Sequence, residues 1–427
     1  MVKRSFIGLK KPRLKYDPVD ARQPELKNIP TPNKVTLLLD KPYNRRDSIL
    51  FRTGDTVKTG QKLSYSDAGD AYVISTVTGT ISAISSFVGD YGRMYTAVTI
   101  DVADSEESDD VFRTQTVQPA LDTAKNFLAG APGNPSFKFL SDPEKPIHTL
   151  IICGVDRDLL ITTNQYVLKS QINAIKSGVR VLKSIAGIDA ILIAVPQHLM
   201  QDAAGSGAEV RVIDSEYPAA LPKLMIQKIL GRIVPAGQTC EDLGVCFISA
   251  EAVASIGRAF DQGHIPVAKT FTFIDKNGSK TMASARIGTP VSEVLKAFDV
   301  TLKEKDRVIF GGPMTGSAVY SEDYPVQADT DAIIVQESDK IPLVADYPCI
   351  NCGECVRICP ANVPVNMLVR FLEAGKYETA ADEYDLYSCI ECGLCSYVCV
   401  SRMPVYHYIK LGKYELERIR TAEATNA

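Results

Sequence analysis

The chain carries, near its carboxyl end, the stretch Cys349-Ile-Asn-Cys352-Gly-Glu-Cys355-Val-Arg-Ile-Cys359-Pro360. A second stretch repeats this spacing: Cys389-Ile-Glu-Cys392-Gly-Leu-Cys395-Ser-Tyr-Val-Cys399. Both follow the pattern C-x₂-C-x₂-C-x₃-C, which holds cubane [4Fe–4S] clusters in two-cluster ferredoxins. The duplicated run therefore predicts two [4Fe–4S] clusters in one domain. Two adjacent clusters predict electron transfer.

The fourth cysteine of each run is expected to begin a helix that leads away and to serve the other cluster. The predicted ligand sets are Cys349, Cys352, Cys355 and Cys399 for one cluster, and Cys389, Cys392, Cys395 and Cys359 for the second. Gly353 and Gly393 are expected to permit the tight turn between the second and third ligands. Val400 replaces the proline that would follow the second run, which removes no ligand.

Two Cys₄ zinc sites are the alternative interpretation of these cysteines, but zinc motifs seldom show this duplicated run. The spacer between the runs, residues 360–388, has helical patterns at 365–373 and 377–384. These patterns favour a helical two-cluster domain over a compact β-type ferredoxin. The sequence assigns no catalytic residue and no flavin- or nicotinamide-binding residue.

Composition narrows the class of protein further. The 427 residues include 47 basic and 51 acidic side chains, which argues against a nucleic-acid partner. No apolar stretch approaches the roughly 18 residues needed for a transmembrane segment, and no secretory signal is evident. We therefore expect a soluble chain, or one that partners hold at a membrane. Without a secretory signal, metal ligation is a better explanation for clustered cysteines than disulfides.

The pattern along the chain predicts a multidomain α/β fold. The predicted divisions are an extended basic arm at 1–32, a barrel-sandwich β domain at 33–104, a parallel α/β domain at 115–246, a β-grasp (SLBB-like) module at 247–338 and the helical two-cluster domain at 340–413. The arm has no core of its own, and we expect it to be a solvated tail or to dock on a partner or an anionic membrane surface.

Local patterns support these divisions. Short β segments separated by glycine turns are predicted at 35–39, 49–51, 61–65, 71–75, 79–84 and 95–100. The next region alternates strands and helices, with strands at 149–153, 190–195 and 209–213 and a long helix at 164–186, which is typical of a parallel sheet. The β-grasp module is predicted from strands at 268–274, 280–285 and 307–310 and helices at 249–260 and 291–298.

The order of these parts resembles RnfC, the peripheral subunit of the Rnf complex, which couples ferredoxin oxidation to reduction of NAD or another acceptor. The matching stretches are 53–61, 77–79, 231–237, 242–245, 286–290, 311–316 and the two cysteine runs. The related NqrA subunit of the sodium-pumping quinone reductase is similar at the front end but lacks the paired cluster motif.

The resemblance implies a subunit of an ion-translocating oxidoreductase complex that relays single electrons through two [4Fe–4S] clusters. It also implies a peripheral position on the cytoplasmic face of the cell membrane, with ferredoxin and the membrane and iron–sulfur subunits of the complex as partners. A soluble ferredoxin-like adaptor of a cytosolic oxidoreductase is the alternative from another class.

The flavin and NADH region of the family resembles the NADH-oxidising subunit of respiratory complex I, but here its motifs depart from the pattern. The glycine-rich loop keeps Gly130 and Gly133, whereas Pro132 and Pro135 remove amide donors. The motif G-A-E-C-E-P-Y reads Gly154-Val155-Asp156-Arg157-Asp158-Leu159-Leu160, and Y-P-Q-G reads Tyr217-Pro218-Ala219-Ala220. These departures predict a pocket kept as scaffold. A subunit that binds FMN and NAD(H) is the alternative.

Overall fold

The computed structural model describes residues 12–20, 25–67, 71–116, 119–188, 190–341, 344 and 347–426. Four sheets and a carboxyl-terminal group of helices make up this part of the chain. The basic residues of the arm at positions 3, 4, 10 and 11 lie outside the described residues.

The described part of the amino-terminal arm packs on its own chain. Tyr16 and Val19 are buried, and the Tyr16 amide donates to the Ser215 carbonyl at 2.9 Å. Strand β1 (Leu26–Asn28) then pairs in parallel with a strand at 280–286 of the β-grasp region. The expectation of a solvated tail is therefore wrong for these described residues, because their apolar side chains and backbone amides find partners in neighbouring domains. Docking on a partner or an anionic membrane surface stays a prediction.

The next residues form a small β domain with two sheets. Its strands are β2 (Lys34–Leu39), β3 (Thr56–Val57), β4 (Lys62–Ser64), β5 (Tyr72–Ile74), β6 (Gly79–Val88) and β7 (Met94–Val102). The order β2-β7-β6-β3 forms one sheet and β4-β5 the other, around a core that includes Val35, Leu37 and Ile100. The strand predicted at 49–51 is absent. Phe51 reaches the core from a loop instead.

A parallel sheet forms the centre of the molecule. Three helices come first: α1 (Val111–Gln115), α2 (Leu121–Leu128) and α3 (Phe137–Leu140). The strands and helices that follow are, in chain order, β8 (Thr149–Cys153), α4 (Thr163–Ser170), α5 (Ile172–Ala186), β9 (Ala190–Pro196), α6 (Met200–Ala203), β10 (Glu209–Ile213), α7 (Pro222–Leu230), β11 (Val245–Ser249) and α8 (Ala250–Gln262). All pairs in the order β10-β9-β8-β11 are parallel. Alternate residues of β8 face opposite cores, with Leu150 and Ile152 towards α4, α5 and α8.

Two sequence predictions are corrected in this sheet. The helix predicted at 164–186 is broken at Gln171, where φ and ψ are −128° and 30°. The Ser170 hydroxyl donates to the Tyr166 carbonyl at 2.8 Å, a bond that bends helices. The boundary predicted between residues 246 and 247 falls inside β11, whose pairing with β8 keeps β11 and α8 in the parallel domain.

The third module is a mixed sheet covered by one helix. It contains β12 (Ala268–Ile274), β13 (Lys280–Arg286), α9 (Val291–Ala297), β14 (Arg307–Phe310), β15 (Ser317–Ala318) and β16 (Ala332–Gln336). The order β1-β13-β12-β16-β14-β15 places the arm strand at the edge of this sheet. Phe271, Phe273 and Val291 form part of the core between the sheet and α9.

The last domain is helical. It comprises α10 (Glu354–Ile358), α11 (Val365–Glu373), α12 (Tyr377–Asp382), α13 (Leu394–Val398) and α14 (Val405–Asn426). Leu368, Leu372 and Ile409 are central members of its core. Among the described helices, none is long and apolar enough to span a lipid bilayer.

Candidate iron–sulfur centre

The two cysteine runs form a structural repeat with an offset of 40 residues, from Cys349 to Cys389. Gly353 and Gly393 both adopt a left-handed backbone, with φ of +76° and +70°, between the second and third cysteines. Each glycine starts a one-turn helix, α10 or α13, that ends just before the fourth cysteine. The fourth cysteine therefore ends a short helix and does not begin one, and the next helix starts six residues later.

The outer site consists of Cys349, Cys352, Cys355 and Cys399, which line a single cavity. Asn366 and Val369 of α11 line the same cavity. Cys352 is exposed, and Ile350 beside it is 66% exposed. The Asn351 amide donates to the Cys349 sulfur at 3.4 Å. This site therefore opens to the protein surface.

The inner site consists of Cys359, Cys389, Cys392 and Cys395. Burial raises the pKa of Cys392 to about 12, and the nearby Cys389 and Cys359 thiols raise it further. Burial also raises the pKa of Cys395, with added contributions from Cys389, Cys392 and the outer-site Cys355. The two sites therefore adjoin. These placements support the crossed ligand sets, which remain a prediction.

The chemistry of these side chains fits iron–sulfur clusters. Thiolates gathered in a buried pocket are disfavoured by desolvation and by mutual repulsion unless a positive group lies between them. The iron of a [4Fe–4S] cluster is such a group, and cysteine thiolates are its usual ligands. Within the described residues, no three histidine, cysteine or acidic side chains lie close enough to share one metal ion, so the four cysteines of each site are spread more widely than the ligands of a single ion.

The inner site docks on the second face of the parallel sheet. Ile358, Cys392, Leu394 and Val398 share a core with Ile151, Cys153, Leu192 and Met225. The Tyr217 hydroxyl donates to the Cys392 carbonyl at 2.6 Å. Lys413 Nζ donates to the Cys389 carbonyl at 2.9 Å and to Glu391 Oε1 at 2.7 Å. Sequence reasoning missed these contacts, because only Tyr217 lies in a family motif and nothing marks Lys413.

The glycine-rich loop of the expected flavin pocket makes its hydrogen bonds within the protein. The amides of Ala131, Gly133 and Asn134 donate to the carbonyls of Leu128, Ala328 and Ala131, respectively. The Ala129 amide donates to the Tyr72 hydroxyl, and Pro132 has no N–H. The Ser249 hydroxyl, which caps α8, donates to the Gly133 carbonyl. The loop therefore lacks the array of unengaged amides that a phosphate cradle requires.

The two acidic residues of the next motif are also engaged internally. Asp156 is buried and accepts from the Asn164 amide at 2.8 Å and from Gln165 Nε2 at 3.1 Å. Burial raises the pKa of Asp156 to about 6, although these hydrogen bonds oppose the rise. Asp158 is buried too, and accepts from the amide and the hydroxyl of Thr315. Both carboxylates therefore accept hydrogen bonds from protein groups.

A cavity of about 740 Å³ lies beside this loop, between the β domain, the third module and α14. Gly130, Asn134, Arg93, Tyr324 and Thr315 are among its lining residues. Its size falls within the range of small-molecule pockets. The donors of the adjacent loop do not fit the phosphate of FMN or of a dinucleotide.

Comparison with known proteins recognises three parts of the chain. Residues 8–106 match the RnfC barrel sandwich hybrid domain, and residues 128–258 match the Nuo51 FMN-binding domain. Residues 348–403 match a 4Fe-4S dicluster domain. This last match favours [4Fe–4S] clusters over two zinc sites.

Several curated proteins are similar over most of this chain. The RnfC protein of the ion-translocating oxidoreductase complex of Rhodobacter capsulatus is 25% identical over 84% of this chain and 73% of its own length. The protein of the same name from Edwardsiella ictaluri is 28% identical over 83% of this chain and 47% of its own length. Its counterpart in the proton-translocating ferredoxin:NAD(+) oxidoreductase complex of Clostridium ljungdahlii is 24% identical over 84% of this chain and 82% of its own length.

Among solved structures, an NAD⁺-reducing [NiFe]-hydrogenase in the H₂-reduced state is 12% identical, with a TM-score of 0.47. The similarity covers 70% of this chain and 64% of the hydrogenase chain.

The fold and the cysteine sites define a multidomain iron–sulfur protein built around a domain of the FMN-binding type. The chain is similar to RnfC proteins, both in its barrel-sandwich domain and in the curated relatives that match most of its length. The resemblance predicted from the sequence is confirmed, and so are the barrel-sandwich domain and the dicluster domain.

Proposed function

We propose that this chain is the peripheral iron–sulfur electron-transfer subunit of an Rnf-type ion-translocating oxidoreductase complex. The observation that carries this proposal is the placement of eight cysteines in two adjoining sites, one open to the surface and one packed on the parallel domain. Two [4Fe–4S] clusters at these sites relay single electrons when bound. The enzymatic activity, oxidoreduction coupled to ion translocation, belongs to the whole complex.

The partners follow from the family. The membrane and iron–sulfur subunits of the complex hold the chain at the cytoplasmic face of the cell membrane, and ferredoxin exchanges electrons with the complex. The Clostridium ljungdahlii relative is named as part of a ferredoxin:NAD(+) oxidoreductase complex, which supports this assignment.

The finer architecture is part of the proposal. When the strands β12 to β16 are numbered one to five, their order across the sheet is two-one-five-three-four. This order supports a β-grasp (SLBB-like) module. The domain divisions follow the sequence prediction, except that the parallel domain extends through α8. The ligand sets are Cys349, Cys352, Cys355 and Cys399 at the outer site, and Cys389, Cys392, Cys395 and Cys359 at the inner site.

A second candidate is an FMN-containing, NADH-binding subunit of the same type of complex, because residues 128–258 match an FMN-binding domain. The internal hydrogen bonds of residues 129–134 favour the first candidate, in which this pocket serves as scaffold. A flavin absorption band that survives bleaching of the iron–sulfur chromophore would favour the second.

The experiment compares membrane fractions from cells that produce the chain with and without the other subunits of the complex. The proposal predicts that the chain is recovered with membranes only when those subunits are present. Recovery in the soluble fraction in both cases would contradict it and favour the soluble adaptor. A cytosolic protein expressed in the same cells serves as the control for trapping in vesicles.

A further inference from the structure

The two cysteine sites share a backbone repeat, but their electrostatic surroundings differ. At the inner site, Lys413 Nζ contacts the Cys389 carbonyl at 2.9 Å. The position 40 residues earlier, which corresponds to Lys413 in the first run, is Glu373, an exposed acidic side chain. The second run therefore has a cation at a position where the first run has an anion.

Lys413 is held in place by two acceptors. Its side chain is 21% exposed and forms an ion pair with Glu391 at 2.7 Å. Glu391 itself lies between two inner-site cysteines, Cys389 and Cys392. The bond from Lys413 Nζ to the Cys389 carbonyl places the lysine charge beside this predicted ligand. Removal of Lys413 would also leave the Glu391 carboxylate unpaired beside the site.

Tyr217 supplies a second donor. It is buried, its ring packs 5.5 Å from that of Tyr16, and its hydroxyl donates to the Cys392 carbonyl at 2.6 Å. Burial raises the pKa of Tyr217, so the phenol remains a neutral donor. The outer-site counterpart of Cys392 is Cys352, which is exposed to solvent.

These contacts have one electrostatic consequence. Reduction adds negative charge to an iron–sulfur cluster, and positive charge or donor dipoles at its ligands stabilise the reduced form. We propose that Lys413, together with Tyr217, raises the reduction potential of the inner cluster. Both are positioning residues that act through the ligand cysteines. This inference rests on the proposed function, in that the clusters must be bound.

The test is a spectroscopic redox titration of the anaerobically purified full chain, preceded by iron and sulfide analysis. Lys413→Gln removes the charge and keeps a hydrogen-bond donor. At the wild-type midpoint, the ratio of reduced to oxidised inner cluster should fall about tenfold, which is about 59 mV for a one-electron couple. The outer transition should not move. Cys392→Ser and Cys352→Ser assign the two transitions.

Three further variants separate charge from structure. Lys413→Arg keeps the charge and should restore the wild-type midpoint. Arg418→Met removes one positive charge from an exposed side chain on the same helix and should leave both transitions unchanged. Tyr217→Phe should shift the inner transition in the same direction as Lys413→Gln. If Lys413→Gln does not assemble both clusters fully, the midpoint of Tyr217→Phe is the test instead.

The inference would be overturned by an unchanged inner midpoint in Lys413→Gln. If that variant does not assemble both clusters fully, an unchanged inner midpoint in Tyr217→Phe would overturn it. An equal shift in Lys413→Arg would overturn it too. A wild-type chain without iron and sulfide would instead refute the proposed function, so the two failures are distinguishable.

Discussion

Gly353 and Gly393 occupy the same position in the two cysteine runs, and both have a backbone conformation that favours glycine. Their surroundings differ. A methyl group at Gly353 would meet nothing within 4 Å, whereas one at Gly393 would lie 2.4 Å from the Met314 carbonyl oxygen. The inner run is thus pressed against the third module, and the outer run is not.

This difference gives a matched pair of substitutions. Gly353→Ala costs only the strain of a left-handed alanine, about 1–2 kcal/mol. Gly393→Ala adds a backbone collision, and it should lower the iron content and the thermal unfolding midpoint more than Gly353→Ala does. Equal effects of the two variants, measured by iron analysis and circular dichroism, would show that the inner run does not contact the Met314 segment.

The crossed ligand sets make a prediction for one cysteine. Cys359 belongs to the first run in sequence, but the structure places it near Cys389 and Cys392. Cys359→Ser should therefore perturb the spectroscopic signature of the inner cluster. If only the cluster of Cys349, Cys352 and Cys355 changes, the crossed assignment is wrong. Ser is close in size to Cys, which limits disturbance of the packing.

The sequence could predict the candidate ligands because a cluster fixes the local spacing of its cysteines. It could not predict Lys413 or Tyr217, since these residues reach the inner site from α14 and from the parallel domain. The contacts of Lys413 depend on how α14 packs within the last domain, and those of Tyr217 on how the parallel domain docks against the inner site. The local sequence around either residue indicates neither arrangement.

Among the elements, the loop at residues 129–134 and the start of α8 are hydrogen-bonded to each other. Ser249 caps the helix and also donates to the Gly133 carbonyl. The Gly133 amide donates to the Ala328 carbonyl at 2.8 Å. A helix start and a glycine loop that could cradle phosphate are therefore engaged with protein groups.

This engagement predicts weak nucleotide binding. Each lost charge-assisted hydrogen bond weakens binding by roughly 1.5–3 kcal/mol, and about 1.4 kcal/mol corresponds to a tenfold change in affinity. Two lost donors therefore move a micromolar site to millimolar. Anaerobic isothermal titration should give a dissociation constant for NADH no tighter than about 1 mM, and desalted protein should retain no FMN. A constant in the low micromolar range would show that other amides bind the phosphates.

A buried ion cluster joins α8 to β12. Lys269 contacts Glu251, and its Nζ lies 3.0 Å from Asp331 Oδ1. The Thr270 amide donates to Glu251 Oε1 at 2.8 Å. Burial alone would lower the pKa of Lys269, but the Glu251 and Asp331 carboxylates raise it on balance. The lysine is therefore charged at neutral pH and lies in contact with both Glu251 and Asp331.

Lys269→Met should destabilise the fold strongly. It leaves a buried carboxylate without its counter-ion, which costs about 3–5 kcal/mol. The measurement is the urea midpoint of the far-ultraviolet circular dichroism signal, under anaerobic conditions. Lys296→Met, which removes a side chain 78% exposed and paired with Glu293, should change the free energy of unfolding by less than about 0.5 kcal/mol. Equal midpoints in the two variants would contradict the account of this cluster.

Several elements with a clear local pattern were predictable. The strands at Ala268–Ile274 and Arg307–Phe310 and the helix at Val365–Glu373 have their predicted bounds. Three features were not predictable: the break at Gln171, the strand β11 and the pairing of β1. The strand β11 and the pairing of β1 depend on partners distant in sequence. The break at Gln171 accompanies a local side-chain bond from Ser170, which the periodicity of the apolar residues does not reveal. Val245–Ser249 runs directly into α8, so its apolar residues continue the helical pattern and hide the strand.

At the scale of the whole molecule, the iron–sulfur domain faces two environments. The inner site packs on the parallel sheet and on the Met314 segment, and the outer site opens to solvent at Cys352. The exposed site is suited to exchange electrons with a partner, while the inner site connects that surface to the body of the protein. This arrangement requires that both cysteine sites carry [4Fe–4S] clusters.

The most direct test is the metal and sulfide content of the anaerobically purified chain. We expect about eight iron and eight acid-labile sulfide per chain, the content of two cubane clusters. Variants that lack Cys392 or Cys352 should each lose about half of both. Stoichiometric zinc without sulfide would show that the cysteine sites do not hold [4Fe–4S] clusters.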